Sequence, residues 1–220
     1  MVPTLVAAAV GVLLAAALLG PAFDRRSLAV VVLAALAPDL DAVLSLAIHG
    51  ASNAALHTLW IPALAAGALY WDTTRRDSSW LRERHGWWGV RVAWVAIAAY
   101  LVAGIGLDLF SAQGANLLYP VHDRFYAVTG RLVYSTEEGL VQTYLTIGGE
   151  GLLSIGSPGT TANHHVESWA NPTPGTGWDS GVERRVQLVE NGWQAIVVFT
   201  AAVVLGIRAR QKRSESEVDR

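Results

Sequence analysis

The chain contains no cysteine, a single lysine beside fifteen arginines, and charged side chains at only 15% of its 220 positions. Without cysteine there are no structural disulfides and no thiolate metal sites. Any metal must then be held by carboxylate, imidazole or carbonyl oxygen. A soluble domain carries about 25% charged residues, so the shortage of charge argues against an ordinary water-exposed surface. A formal charge of -2 supplies no positive field for nucleic acid, which is excluded as a partner. Neither a Gly-x-Ser-x-Gly nucleophile elbow nor a phosphate-cradling Gly-rich lysine motif occurs.

What is present is apolar residue in long blocks. Hydrophobic residues make up 52% of the chain, and mean hydropathy is +0.35. Five blocks stand out: Val2 to Leu19, Leu28 to Ile48, Ala54 to Trp71, Val90 to Phe110 and Trp193 to Ile207. A helix needs roughly 20 apolar residues to cross the hydrocarbon, so the expected fold is an all-α membrane bundle of about five transmembrane helices. The basic residues fix an orientation. Arg25 and Arg26 follow block one, Arg75, Arg76, Arg82, Arg84 and Arg91 follow block three, and Arg208, Arg210, Lys212 and Arg213 follow block five. All three groups belong on the cytoplasmic side. This places the N-terminus outside and the C-terminus in the cytoplasm, making a multi-pass protein of the cell membrane. Met1 to Leu19 lacks the basic start of a secretory leader, which favours a span over a signal.

Four parts follow along the chain. Residues 1–110 form four spans carrying a polar site, 111–192 an extracytoplasmic segment, 193–207 the fifth span, and 208–220 a basic-then-acidic cytoplasmic tail. The 111–192 segment has eight acidic and four basic side chains and is too polar to span. Phe125 to Ser135 and Gly139 to Ile147 are rich in Val, Tyr, Thr and Leu around the turn Thr136-Glu137-Glu138-Gly139, which predicts a β-hairpin. Gly148 to Gly181 reads as loop, and Gly181 to Val189 as a last short strand. The segment is therefore expected to be a small β-containing cap over the helices.

The residues that carry chemistry are ionisable groups inside apolar runs. Asp39 and Asp41 interrupt block two, His57 lies near the start of block three, and Asp108 sits in block four. A carboxylate at mid-membrane costs about 2.5–3.5 kcal/mol even on the mildest scale, and such residues usually mark function. In the five-span topology all four fall at the external membrane surface, with His49 in the adjoining connection. Asp39 and Asp41 would diverge by about 200° on a regular helix. Pro38 removes a backbone donor there, so a break at Ala37-Pro38 would let both turn toward one cation. Three carboxylates and an imidazole suit Zn, Mn or Mg, and a divalent metal with an open position makes hydrolysis the natural reaction.

The same residues carry a family resemblance. Ala37-Pro38-Asp39-Leu40-Asp41, Leu56-His57-Thr58, and Leu107-Asp108-Leu109 with Gly114 and Pro120 downstream resemble the YdjM-like family of membrane-bound metal-dependent hydrolases, over roughly Leu28 to Asp123. The resemblance implies Asp39, Asp41, His57 and Asp108 as metal-site residues and hydrolysis as the activity. Three positions depart from the family pattern. Leu56 and Thr58 replace threonine and serine, Ser52-Asn53-Ala54 replaces His-Arg-Gly, and Gly104 stands four residues before Asp108 where a histidine belongs. A missing imidazole could be supplied by His49, His122, or His164-His165 with Glu167.

The expected site therefore has Asp39, Asp41, His57, Asp108 and His49 as metal residues, with His57, Asp108 and His122 in catalysis. The substrate would be a lipid or another small phosphorylated or ester-bearing envelope molecule. The competing reading is a non-catalytic membrane protein whose cap binds an envelope partner, with the polar cluster structural. Trp80, Trp87, Trp88 and Trp94 among the central arginines read as an interfacial belt against anionic lipid.

Overall fold

The computed structural model describes residues 1–130, 132–137, 139–143, 156–174 and 181–218, with side chains from 212 onward left aside. Helices dominate: α1 (Thr4–Leu18), α2 (Arg25–Leu36), α3 (Asp41–Leu44), α4 (Trp60–Thr74), α5 (Trp80–Ala99), α6 (Leu107–Leu109) and α7 (Gly192–Val218). A 3₁₀ turn at Pro38–Leu40 separates α2 from α3, and a π-helical stretch at Tyr100–Gly106 joins α5 to α6. The predicted hairpin forms as β1 (Leu132–Ser135) and β2 (Gly139–Gln142), antiparallel with Leu132 opposite Gln142 and Ser135 opposite Gly139. Part of the expected second strand, residues 144–147, lies outside the described residues. The strand expected at Gly181 to Val189 does not form, and that stretch has no regular structure until α7 begins.

The five-span expectation is overturned. Among the described residues, two helical stretches are long and apolar enough to cross a membrane, Trp80–Leu109 and Gly192–Gln211. A third exists only if Arg25–Leu36 and Pro38–Leu44, bent by 50° at their break, count as one span. The other blocks fail on length. Block one yields α1, with 15 residues. Block three becomes helical only at Trp60, because residues 45–59 run through turns, and α4 also has 15 residues. At 1.5 Å per residue such a helix covers about 22 Å, short of the roughly 30 Å of hydrocarbon. Apolar composition set the blocks, but hydrogen-bonded helix was shorter than the apolar run.

The chain divides into two compact units. One contains residues 3–37, 62–103 and 187–220. Its core is small and apolar: Ala15 and Leu19 of α1, Val31 and Ala35 of α2, and Val95 and Ala99 of α5, with Ala103 beyond. A second cluster sets Ala9 and Val12 of α1 against Ala201 of α7. Small side chains let helix backbones approach closely where lipid removes most of the hydrophobic drive. Gly11 marks a close approach of α1 to α2, since a Cβ there would sit 2.9 Å from the Ala35 Cβ. The turn from α4 to α5 is closed by Asp72, whose carboxylate accepts from the Ser79 hydroxyl at 2.6 Å and from the Trp80 and Leu81 amides. Ser79 in turn caps α5 by accepting from the Arg82 amide.

The other unit contains residues 1–2, 38–61 and 104–186. It is rich in loops, held by polar groups that bridge segments distant in sequence. The Asn53 side chain donates to the Gly114 carbonyl at 2.9 Å, and the Asn53 carbonyl accepts from the Asn116 amide at 2.8 Å. Leu59 N–H donates to the Leu117 carbonyl. Asp123 ties the 116–123 loop to the next one, accepting from Asn116 Nδ2 and from the amide and hydroxyl of Thr161. A small cluster of Ala54, Phe125 and Val166 lies within this frame.

Candidate metal centre

Pro38 is the origin of the site's local geometry. Regular helix ends at Leu36, and the 3₁₀ turn over Pro38–Leu40 carries Asp39 before Asp41 opens α3. The break expected at Ala37-Pro38 is therefore present, and it separates the roles of the two aspartates. His57 comes from the 45–59 connection, which the Asn53, Thr58 and Leu59 bonds fasten to residues 114–117. Asp108 sits in the short helix α6, just after the π-helical stretch. Such stretches widen a helix by one residue per turn and often mark functional positions.

The four groups meet in the interior. Asp41 and His57 are 0% exposed, Asp108 2% and Asp39 5%. His57 lies between two carboxylates, Nδ1 being 2.7 Å from Asp41 Oδ2 and Nε2 3.1 Å from Asp108 Oδ2. The other Asp108 oxygen accepts from the Val2 amide at 2.6 Å. Asp41 Oδ1 is buried without a hydrogen bond among the described residues. Burial by itself would lower the His57 pKa. The facing charges of Asp41 and Asp108 and their hydrogen bonds outweigh it and push it up to about 10. A proton on the ring thus binds the two carboxylates together, and a cation taking Nε2 would displace it, as metal ligation by histidine requires.

Ligand atoms of Asp39, His57 and Asp108 all lie within 4.8 Å of one another. Among the described residues, this is the group of His, Asp and Glu side chains close enough to share an ion. The donor set fits a hard or borderline divalent cation. The burial supplies the reason for one: three carboxylates converge on one imidazole, and buried carboxylates need counter-charge. Asp41 stands outside that group, hydrogen-bonded to the ring nitrogen opposite Nε2. That is the place of the outer carboxylate in carboxylate–histidine–metal arrangements.

The remaining sequence candidates lie elsewhere. His49 is exposed, and His122 is exposed with its ring 6.3 Å from that of Tyr126. His164 Nε2 is 2.9 Å from the Gln113 carbonyl, and its ring meets Phe125 edge-on. His165 is half-buried, with Nε2 enclosed and lacking a hydrogen bond among the described residues. Gly104, where the family pattern has histidine, is buried without a side chain to offer. Sequence reasoning missed the Val2 amide and the Asn53–Gly114–Asn116 brace. No pattern could have announced the amide. Asn53 was legible in principle: asparagine tolerates positive φ, and here it adopts φ 51°.

No curated protein and no solved structure matches the chain. A family profile described as YdjM inner membrane protein matches residues 4–170, which contain Asp39, Asp41, His57 and Asp108. The chain therefore belongs to the YdjM inner membrane protein family.

Proposed function

We propose that the protein is a membrane hydrolase in which Asp39, His57 and Asp108 hold a divalent cation of the Zn, Mn or Mg type. The carrying observation is the convergence of these three buried side chains, from three distant parts of the chain, within 4.8 Å. When bound, the cation would supply a Lewis acid and an activated water. The chain's own groups do the positioning. Asp41 holds His57 through Nδ1 so that Nε2 faces Asp108, and the Val2 amide fixes one Asp108 oxygen so that the other faces the ring. The substrate class in this reading is a phosphorylated or ester-bearing lipid or envelope molecule, which can reach a site at the end of membrane helices.

Charge placement supports an external site. The span Trp80–Leu109 begins among Arg75, Arg76, Arg82 and Arg84 and ends beside Asp108, and the span Gly192–Gln211 ends at Arg208 and Arg210. Basic ends face the cytoplasm, so Asp108 and the 111–192 segment between the two spans would lie outside. His49 and His122 remain candidates for substrate contact from that side.

A second reading rests on the completeness of the Asp41–His57–Asp108 network, which satisfies both ring nitrogens by itself. There the cluster is structural, and residues 111–192 bind an envelope component. Metal content separates the two. The purified full chain, stripped by chelator and reloaded, should bind divalent metal stoichiometrically, lose it on D39N and D108N while still folded, and hydrolyse a generic phosphoester only when loaded. A folded wild-type chain that takes up no metal would refute the hydrolase.

A further inference from the structure

We propose that the groove between the end of α4 and the start of α5 is a binding site for an anionic phospholipid, distinct from the metal centre. The groove has a volume of about 480 Å³ and is lined by Thr73, Arg82, Trp87, Trp88, Arg91 and Trp94 among others. It exists because α5 is not continuous: Gly86 has φ 66° and ψ -168°. Only glycine occupies that region without strain. The bend sets Trp80–His85 off from the apolar helix that follows and presents Trp87 and Trp88 at the corner.

The head of the site is Arg82. Its guanidinium carbon lies 4.0 Å from the centroid of the Trp87 ring, and Nη2 donates to the Thr73 carbonyl at 3.3 Å. Its Nε is buried and makes no hydrogen bond among the described residues. A buried guanidinium N–H without an acceptor is costly, and an acceptor delivered by a ligand would relieve it. Arg91 is fixed in the wall by donation from Nε to the Leu18 carbonyl at 2.7 Å. Asp72, which closes the neighbouring α4–α5 turn, is engaged by Ser79, Arg76 and two amides.

The walls select the occupant. Trp87, Trp88 and Trp94 are all exposed, and the groove opens where the span Trp80–Leu109 begins. Indoles at that depth sit among lipid headgroups and upper acyl chains. A lipid phosphate uses the arginines and its acyl chain uses the indoles. Free phosphate would gain only from the arginines. Arg75, Arg76 and Arg84 in the same stretch add further attraction for an anionic leaflet.

The test is native mass spectrometry of the full chain in a neutral detergent, titrated with phosphatidylglycerol, with phosphatidylcholine of matched chains, and with inorganic phosphate. Phosphatidylglycerol should bind about tenfold tighter than phosphatidylcholine, because arginine pairs most strongly with exposed anionic phosphate. R82Q and W87L should each remove most of that preference. R82K should also weaken it, because lysine keeps the charge but loses the planar stack and the Nε donor. Exposed Arg75→Gln should leave it within about twofold, as expected of a screened surface charge. If R82Q does not fold, R82K and W87L carry the comparison. Equal binding of the two lipids, or undiminished preference in R82K and W87L, would overturn the proposal. So would inorganic phosphate displacing the lipid, or a dimer whose formation excludes it.

Discussion

At the scale of single residues, the cluster places two aspartates two positions apart in different surroundings. Asp39 belongs to the group that can share an ion, and Asp41 grips the far side of the imidazole. Their substitutions should therefore differ in kind. D108N is expected to abolish metal binding measured by calorimetric titration. D41N should weaken it about 10–100-fold, the usual cost of losing an outer carboxylate, without abolishing it. Equal loss in both variants would place Asp41 among the ligands. Asp123 gives a second residue-scale expectation. Burial would raise its pKa, but hydrogen bonds from the Thr161 hydroxyl and amide and the Asn116 side chain outweigh burial and hold it below the usual carboxylate range. A depressed folded pKa contributes stability above the unfolded value of about 3.9 and loses it as pH falls through the folded value. Thermal unfolding of wild type and D123N should thus differ at neutral pH, and the difference should begin to shrink below about pH 4 and vanish once pH is below the folded value.

At the scale of elements, close helix approach leaves little room for added bulk. Gly11 faces the Ala35 Cβ, and α1 and α2 share a core built of alanine and valine. G11L should push these helices apart and cost about 1–3 kcal/mol, as overpacking does. The measurement is thermal unfolding in detergent, with G67L as the control, because nothing lies within 4 Å of a Cβ at Gly67. Elements also explain why five apolar blocks do not make five spans. Hydropathy reports which residues avoid water, whereas a span needs unbroken backbone hydrogen bonding over its length. Pro38 interrupts that ladder in block two, and turns over residues 45–59 consume the start of block three. The hairpin was legible because its strand residues and turn agree locally. The strand expected at Gly181 to Val189 had β-favouring residues and no partner to pair with among the described residues.

At the scale of the whole molecule, the chain is a membrane protein of the YdjM family, and its sidedness can be read directly. Because it contains no cysteine, single introduced thiols report without background. Ser157 and Arg210 are both exposed. S157C should react with a membrane-impermeant maleimide on intact cells, and R210C only after permeabilisation. The reverse pattern would invert the orientation and move the metal centre to the cytoplasmic face.

The sequence alone established the membrane as solvent and the unusual presence of acids in oily runs, because each follows from transfer free energies that need no neighbours, and its lack of cysteine excluded thiolate chemistry. The Pro38 break and the identity of Asp39, Asp41, His57 and Asp108 were equally legible, since proline and buried carboxylates act through their own chemistry. Only the tertiary structure decided which aspartate faces the ion group, that the Val2 amide braces Asp108, and that Arg82 stacks on Trp87 with an unanswered donor. Those depend on where chain segments cross, and a local pattern holds no information about a partner a hundred residues away.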